Sequence, residues 1–172
     1  MSHQDTPALL RLQGLPPVVA RGTRCLVLGS FPGEASLAAQ QYYGHPRNHF
    51  WPLLSAIWQI DLAAWPYAKR LAEVRRRGLG IWDAYASCRR EGSLDTAIEA
   101  AELNDFAALR VRAPGLHLVL HNGAESARAA PLLQGLGLAT RRLPSTSPAN
   151  ASWSFERKLQ SWRAAFEEGG IA

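Results

Sequence analysis

The chain has 172 residues, 47% of them apolar and 19% charged, with six tryptophans, which suits one folded domain and excludes a disordered chain. Its net charge of +5 comes from Arg far more than Lys, and permits a polyanionic partner without establishing one. Cys25 and Cys88 supply neither the roughly four clustered ligands of a structural zinc site nor a disulfide framework, and no apolar run reaches the roughly 20 residues of a membrane span.

Residues 1–22 mix prolines and leucines and read as an N-terminal arm, with residues 23–172 as one domain. Arg24–Gly29 is a short apolar run ending in glycine and predicts a buried strand. Ser30–Arg47 carries Pro32, Gly33, Gly44 and Pro46 and reads as a long loop of functional length. Helical spacing of Phe50, Trp51, Leu54, Ile57 and Trp58 predicts a helix, and Pro66–Arg77 predicts another, closed by Gly78. Gly80–Tyr85 reads as a second strand, Asp95–Ala101 and Asp105–Arg112 as helices, and His117–His121 as a third strand. A helix over Ala124–Gln134, a fourth strand over Thr140–Leu143 and a last amphipathic helix over Ser152–Glu168 complete the chain. Strands that are continuously apolar and alternate with helices predict an α/β fold. It has three α/β/α layers around a central, mostly parallel four-stranded sheet flanked by helices. Ligands of such sheets bind beyond the carboxyl ends of the strands. The polar segments after each strand, at 29–33, 83–90, 121–123 and 144–150, should converge there.

Gly29-Ser30-Phe31-Pro32-Gly33 lets backbone amides approach a ligand, but lacks the Gly-Lys-Ser/Thr ending of a phosphate loop. In the segment from Tyr42 to Trp51, Phe50 and Trp51 are core candidates. Tyr43 offers an aromatic face for a planar base. Asn48 suits either a helix cap or a group that orients water. His45 with His49, and His117 with His121, lack the further ligands of a metal site, so no metal is expected. Pro144-Ser145-Thr146-Ser147-Pro148 carries three hydroxyls between prolines, suited to phosphate contacts or to a stiff wedge.

Together these segments resemble the uracil-DNA glycosylase superfamily, and most closely its hypoxanthine-DNA glycosylase branch. The resemblance rests on Leu28–Gly33, on Tyr42–Trp51 and on Pro144–Asn150, and covers about residues 22–168. It implies excision of a deaminated base from DNA by hydrolysis, without cofactor, leaving an abasic site. Hypoxanthine is the leading substrate, with uracil and xanthine open. Much of the superfamily has Asn or Asp where this chain has Phe31. The resemblance therefore assigns catalysis to Asn48.

For the base, the resemblance implies a pocket of Gly29, Ser30 and Phe31, with Tyr43 stacking, Asp83 at the pairing edge, and His121 and Asn122 lining it. Two readings stand for Asp83: a base reader, or an ion-pair partner of Arg89 or Arg90. For DNA it implies Arg47, Pro144, Ser145, Thr146 and Ser147. Arg89 and Arg90 lie near another strand end and are taken to flank the same DNA-facing edge. The implied partner is DNA carrying a deaminated base, with a monomeric protein in a bacterial cytoplasm. Two alternatives remain open: a non-catalytic lesion-binding module, motivated by Phe31, and a nucleoside hydrolase.

Overall fold

The arm supplies β1 (Arg11–Gln13), and the first apolar run forms β2 (Cys25–Gly29). These and all following elements are taken from a computed structural model that describes residues 8–172. Further strands are β3 (Leu79–Asp83), β4 (Tyr85–Arg89), β5 (Glu99–Leu103), β6 (Leu118–Asn122) and β7 (Ala139–Leu143). The helices are α1 (Glu34–Ala39), α2 (Phe50–Trp58), α3 (Tyr67–Arg76), α4 (Phe106–Arg112), α5 (Ala124–Ala127), α6 (Ala130–Gly135) and α7 (Phe155–Glu168).

β2, β3, β6 and β7 form a parallel sheet in the order β3-β2-β6-β7. Every residue of β2, β3 and β6 is buried, so both faces of the sheet are covered, as continuous apolar runs require. α2 and α7 pack on each other through Phe50 and Trp162, edge to face at 6.1 Å. Ser154 caps α7 by accepting from the Arg157 N–H at 3.2 Å, and Asp105 caps α4 in the same way. This is the three-layer α/β/α arrangement expected from the sequence.

The structure departs from that reading in four places. The 30–47 loop contains α1, which ends at Gln40 with φ of 53°. The apolar stretch around residue 80 is two strands, β3 and β4, separated at Ala84. The helix expected over Asp95–Ala101 is a single 3-10 turn at Asp95–Ala97 followed by β5. All five residues of β5 are exposed, so a helix there would have had no apolar face to bury. Its backbone pairs instead with β4 in a small antiparallel sheet of order β1-β4-β5. The helix expected over Ala124–Gln134 breaks into α5 and α6, with Pro131 in the first turn of α6 where its missing N–H costs nothing.

The described part of the arm is tied to the domain. Beyond β1, Val18 exchanges two backbone hydrogen bonds with Ile81, at 2.8 and 2.9 Å, and so covers the exposed edge of β3. The chain leaves β2 toward β3 on one side and returns to β6 on the other. The carboxyl ends of β2 and β6 therefore flank the switch point of the sheet, where an α/β fold opens a crevice.

Candidate active site

A cleft of about 880 Å³ opens at that switch point. Its walls come from the segments after β2, β3, β6 and β7, as the sequence pattern predicts, together with the α1–α2 connection and residues 93–96.

The floor is set by strand register. Gly29 and Asp83 are paired positions on adjacent strands. A Cβ on Gly29 would lie 2.4 Å from Asp83 Oδ1 and 3.4 Å from the Tyr43 hydroxyl, so glycine there makes room for both groups. Asp83 is 5% exposed, and its Oδ2 has no hydrogen-bond partner among the described residues. Burial, reinforced by repulsion from Asp95 and only partly offset by Arg90, pushes its carboxyl up to about 7. The Tyr43 hydroxyl is also buried with no hydrogen-bond partner among the described residues, and burial with the nearby Asp83 raises it against a smaller opposing effect of the Asn122 side chain, so it is a neutral phenol. The Tyr43 ring stacks on Phe50 with centroids 4.0 Å apart. Its backbone is held at φ 56°, a strained conformation for a side chain of this size. Two unpartnered polar atoms thus meet in one cleft, a donor-acceptor set prepared for a ligand.

Asn48 lines the same cleft. Its side-chain oxygen accepts from the Phe50 N–H at 2.9 Å and so satisfies the first amide of α2, although the N-cap position itself is His49. A carbonyl has two lone pairs, and one is left for another donor.

The Pro144–Asn150 loop is held from below. Asn122, at the end of β6, donates from Nδ2 to Thr146 Oγ1 and accepts at Oδ1 from the Thr146 N–H, both at 2.9 Å. The Thr146 carbonyl accepts from the His49 N–H at 3.0 Å. His49 Nδ1 in turn faces Lys158 Nζ at 3.1 Å. An ammonium only donates, so His49 Nδ1 is the acceptor and its proton sits on Nε2. Burial and Lys158 both lower the His49 imidazole, which keeps it neutral. Gly123 lies at φ 97°, and a Cβ there would press on Ser145 Cβ at 3.2 Å.

A family model described as the uracil DNA glycosylase superfamily matches residues 16–168. The chain belongs to the uracil DNA glycosylase superfamily. A protein named hypoxanthine DNA glycosylase from Methanosarcina barkeri is 42% identical over 158 residues, covering 92% of this chain and 99% of that one. Another of the same name, from Methanosarcina acetivorans, is 39% identical over 154 residues, covering 90% and 97%. A solution NMR structure of a candidate uracil DNA glycosylase from Methanosarcina acetivorans superposes with a TM-score of 0.84 at 37% identity, covering 94% and 99%. These relatives are archaeal and lend no support to the expected bacterial source. No helix among the described residues is long and apolar enough to cross a membrane.

Within this superfamily member, Gly29, Ser30, Phe31, Tyr43, Asn48, Asp83 and Asn122 share the cleft with Pro144, Ser145, Thr146 and Ser147. Phe31 is buried beneath the Arg90 guanidinium, 5.3 Å from its ring. His121 is not among the lining residues. It is buried behind β6, with Nδ1 on Ser126 Oγ at 2.8 Å, and burial lowers it to about 4. Arg90 does not face DNA either. It is 5% exposed and donates to the Pro32 carbonyl at 2.5 Å and the Gly92 carbonyl at 3.0 Å. Arg47 and Arg89 are exposed but lie outside the cleft wall. No ion pair joins Asp83 to Arg89 or Arg90.

Leu94, Asp95 and Trp153 are among the lining residues that escaped the sequence reading. Asp95 accepts from the Ser30 hydroxyl at 2.5 Å. None of the three sits in a motif or follows a strand end, so spacing carried no signal for them. Arg142 lines the cleft, whereas Arg141 turns away to pair with Glu168 at 2.5 Å.

Proposed function

We propose that this chain hydrolyses the N-glycosidic bond of hypoxanthine in DNA, acting as a monomer and leaving an abasic site. The observation that carries the reading is the pair of buried polar atoms without a hydrogen-bond partner among the described residues, Asp83 Oδ2 and the Tyr43 hydroxyl, at the floor of a cleft of about 880 Å³. The name shared by the two Methanosarcina relatives agrees with it.

Hypoxanthine presents an N1–H donor and an O6 acceptor on one edge. A neutral carboxyl both accepts and donates, and so matches that edge as an amide would. Burial that raises Asp83 to about 7 keeps a large neutral fraction at neutral pH. It also avoids an anion facing a purine that leaves with an electron pair, as a protonated acid in an oxyanion site does. The Tyr43 hydroxyl is a second donor for the leaving base, and the backbone amides at Ser30 and Phe31 edge the same pocket.

The reaction breaks the C1′–N9 bond, with the electron pair going to the purine. Water supplies the oxygen that bonds C1′, and one water proton ends on the released base. Asn48 is no base. Its role is to hold the attacking water with the lone pair that the Phe50 N–H leaves free. Ser145, Thr146, Ser147 and Pro144 hold the strand beside the flipped nucleotide, with Arg47 and Arg142 contributing charge to the phosphates.

The test is a duplex carrying one inosine, incubated with protein and then treated with alkali. A single cut at the inosine is expected. No abasic product from inosine, uracil or xanthine substrates overturns the reading. Tight lesion binding without base release marks a binding module instead, and equal turnover of free inosine marks a nucleoside hydrolase.

A further inference from the structure

Arg90 follows directly on β4 and is 5% exposed, without an ion-pair partner among the described residues. Burying an unpaired guanidinium is costly, so its hydrogen bonds show what the cost secures. Nη2 donates to the Pro32 carbonyl at 2.5 Å, and Nε donates to the Gly92 carbonyl at 3.0 Å. The guanidinium carbon lies 5.3 Å from the centroid of the Phe31 ring. Nη1 is buried with no partner among the described residues.

The two segments joined in this way are separate walls of the cleft. The Ser30–Gly33 loop lines one, and Ser93–Thr96 lines the other. Two more hydrogen bonds run between them. Asp95 accepts from the Ser30 hydroxyl at 2.5 Å, and Ser93 Oγ accepts from the Glu34 N–H at 2.9 Å. Ser93, Glu34 and Asp95 are all exposed, so water competes for those bonds, whereas Arg90 makes its own out of water. Packing does not hold the turn at Gly92, where a Cβ would meet nothing within 4 Å.

The charge of Arg90 also reaches the cleft floor. Asp83 is surrounded by the Tyr42 and Tyr43 phenols from the α1–α2 connection, by Asp95 from the turn and by Arg90. The phenols are neutral, Asp95 adds to the rise of the Asp83 carboxyl, and Arg90 opposes it.

We propose that Arg90 is a positioning residue for base release, a buried clamp that locks the Ser30–Gly33 loop to the Gly92–Thr96 turn and so fixes two walls of the base pocket at once. It is not among the lining residues and touches neither the base nor the scissile bond. The inference rests on the glycosylase reading for its substrate. Lysine cannot replace it, because one ammonium nitrogen does not span two carbonyls held by separate nitrogens of a planar fork.

The test compares wild type, Arg90→Ala and Arg90→Lys on the inosine duplex under single turnover, with millimolar guanidinium chloride or an equal concentration of sodium chloride. Below pH 7, Arg90→Ala should lose at least about tenfold in rate. Its alkaline decline should begin at higher pH than in wild type, because the cation opposing the Asp83 rise is gone. Guanidinium offers the same planar donors and charge, so it should restore the rate and return the decline to its wild-type position. Sodium should do neither. Arg90→Lys keeps the charge, so it should lose rate with the decline unmoved. A wild-type rate in either variant overturns the proposal. So does a loss in Arg90→Ala that guanidinium leaves unrestored, or that leaves the decline in place, since a merely structural defect behaves that way. Thermal unfolding checks that the variants are folded in the assay, and Arg90→Lys decides alone if Arg90→Ala is not. Affinity for the inosine duplex is measured in parallel and needs no catalysis. If wild type releases no base, the function reading fails, and a loss of affinity in Arg90→Ala that guanidinium restores still upholds the clamp. Unchanged affinity in that case overturns it.

Discussion

The Asn122 side chain grips Thr146 at two points, its amide donating to the hydroxyl and its oxygen accepting from the backbone N–H, both at 2.9 Å. Because the Thr146 carbonyl also holds the His49 N–H, one residue at the end of β6 ties together the two segments that flank Asn48. Asn122→Ala removes two buried hydrogen bonds and leaves the Thr146 N–H without a partner, a cost of about 2–3 kcal/mol. Urea unfolding should show that loss, and excision should fall further than stability accounts for. Asn122→Asp keeps the acceptor for the backbone N–H, and the Thr146 hydroxyl can turn to donate. It should therefore recover most of the stability while placing an anion beside Asp83 and Tyr43. Activity that returns along with stability in that variant would limit Asn122 to a scaffold role.

Asp83 gives the pH dependence its sign. Its carboxyl is raised from the usual carboxylate range to about 7 by burial, so the folded state holds a proton that the unfolded chain releases near pH 4. Stability is therefore greatest below the unfolded value, falls as pH rises from about 4 to about 7, and is flat above. Asp83→Asn should remove that slope and be more stable than wild type at pH 8. Excision of hypoxanthine should decline as pH rises above about 7, because ionisation removes the donor and places an anion against the departing base. The amide of Asp83→Asn still accepts and donates, so its rate should stay level over that range. An identical alkaline decline in both proteins would assign the ionisation elsewhere.

What could be read from the sequence followed burial and local chemistry. The apolar runs of β2, β3 and β6 are buried at every position and were legible as strands. Gly29, Asn48, Asp83 and Thr146 follow strand ends or sit in motifs, and the parallel topology brings them together. β5 was not legible, because its exposed Glu-Ala-Ala-Glu-Leu stretch has good helix propensity and becomes a strand only through pairing with β4. Arg90 and His121 were placed by proximity to strand ends, but strand residues alternate in direction. His121 points to the face opposite Asn122, and Arg90 turns inward to the Pro32 carbonyl. Leu94 and Asp95 reach the cleft through a turn whose position depends on Arg90 and Ser30, a tertiary fact with no local pattern.

Gly29 is a steric requirement that a double-mutant cycle can isolate. Alanine there brings a methyl to 2.4 Å from Asp83 Oδ1, and on a wholly buried strand the carboxyl is what must give way. Gly29→Ala alone should lose at least about tenfold in activity through displacement of Asp83. In an Asp83→Ala background the same methyl keeps only an ordinary contact with the Tyr43 hydroxyl at 3.4 Å, and the added loss in stability should be close to nil. Equal destabilisation in both backgrounds would mean that the methyl clashes with something other than the carboxyl.

Lys158 runs against two rules of stability at once. Its side chain is 1% exposed with no carboxylate partner among the described residues, and it lies in the first turn of α7, where the helix dipole disfavours a cation. Burial lowers its ammonium, and among the described residues the sole polar partner of Nζ is His49 Nδ1 at 3.1 Å. A group this costly contributes through what it positions, namely the His49 tautomer and the backbone that carries Asn48. Lys158→Met has nearly the same length and no charge to desolvate. Its stability should match or exceed that of wild type, by up to about 1–4 kcal/mol. Its excision rate should nonetheless fall, with His49 free to exchange its ring proton between nitrogens. Nitrogen NMR of the imidazole reads the tautomer directly, and thermal unfolding with single-turnover rates reads the rest. A stabilised Lys158→Met that keeps the full rate and a single Nε2–H tautomer would show that the ammonium does not govern His49.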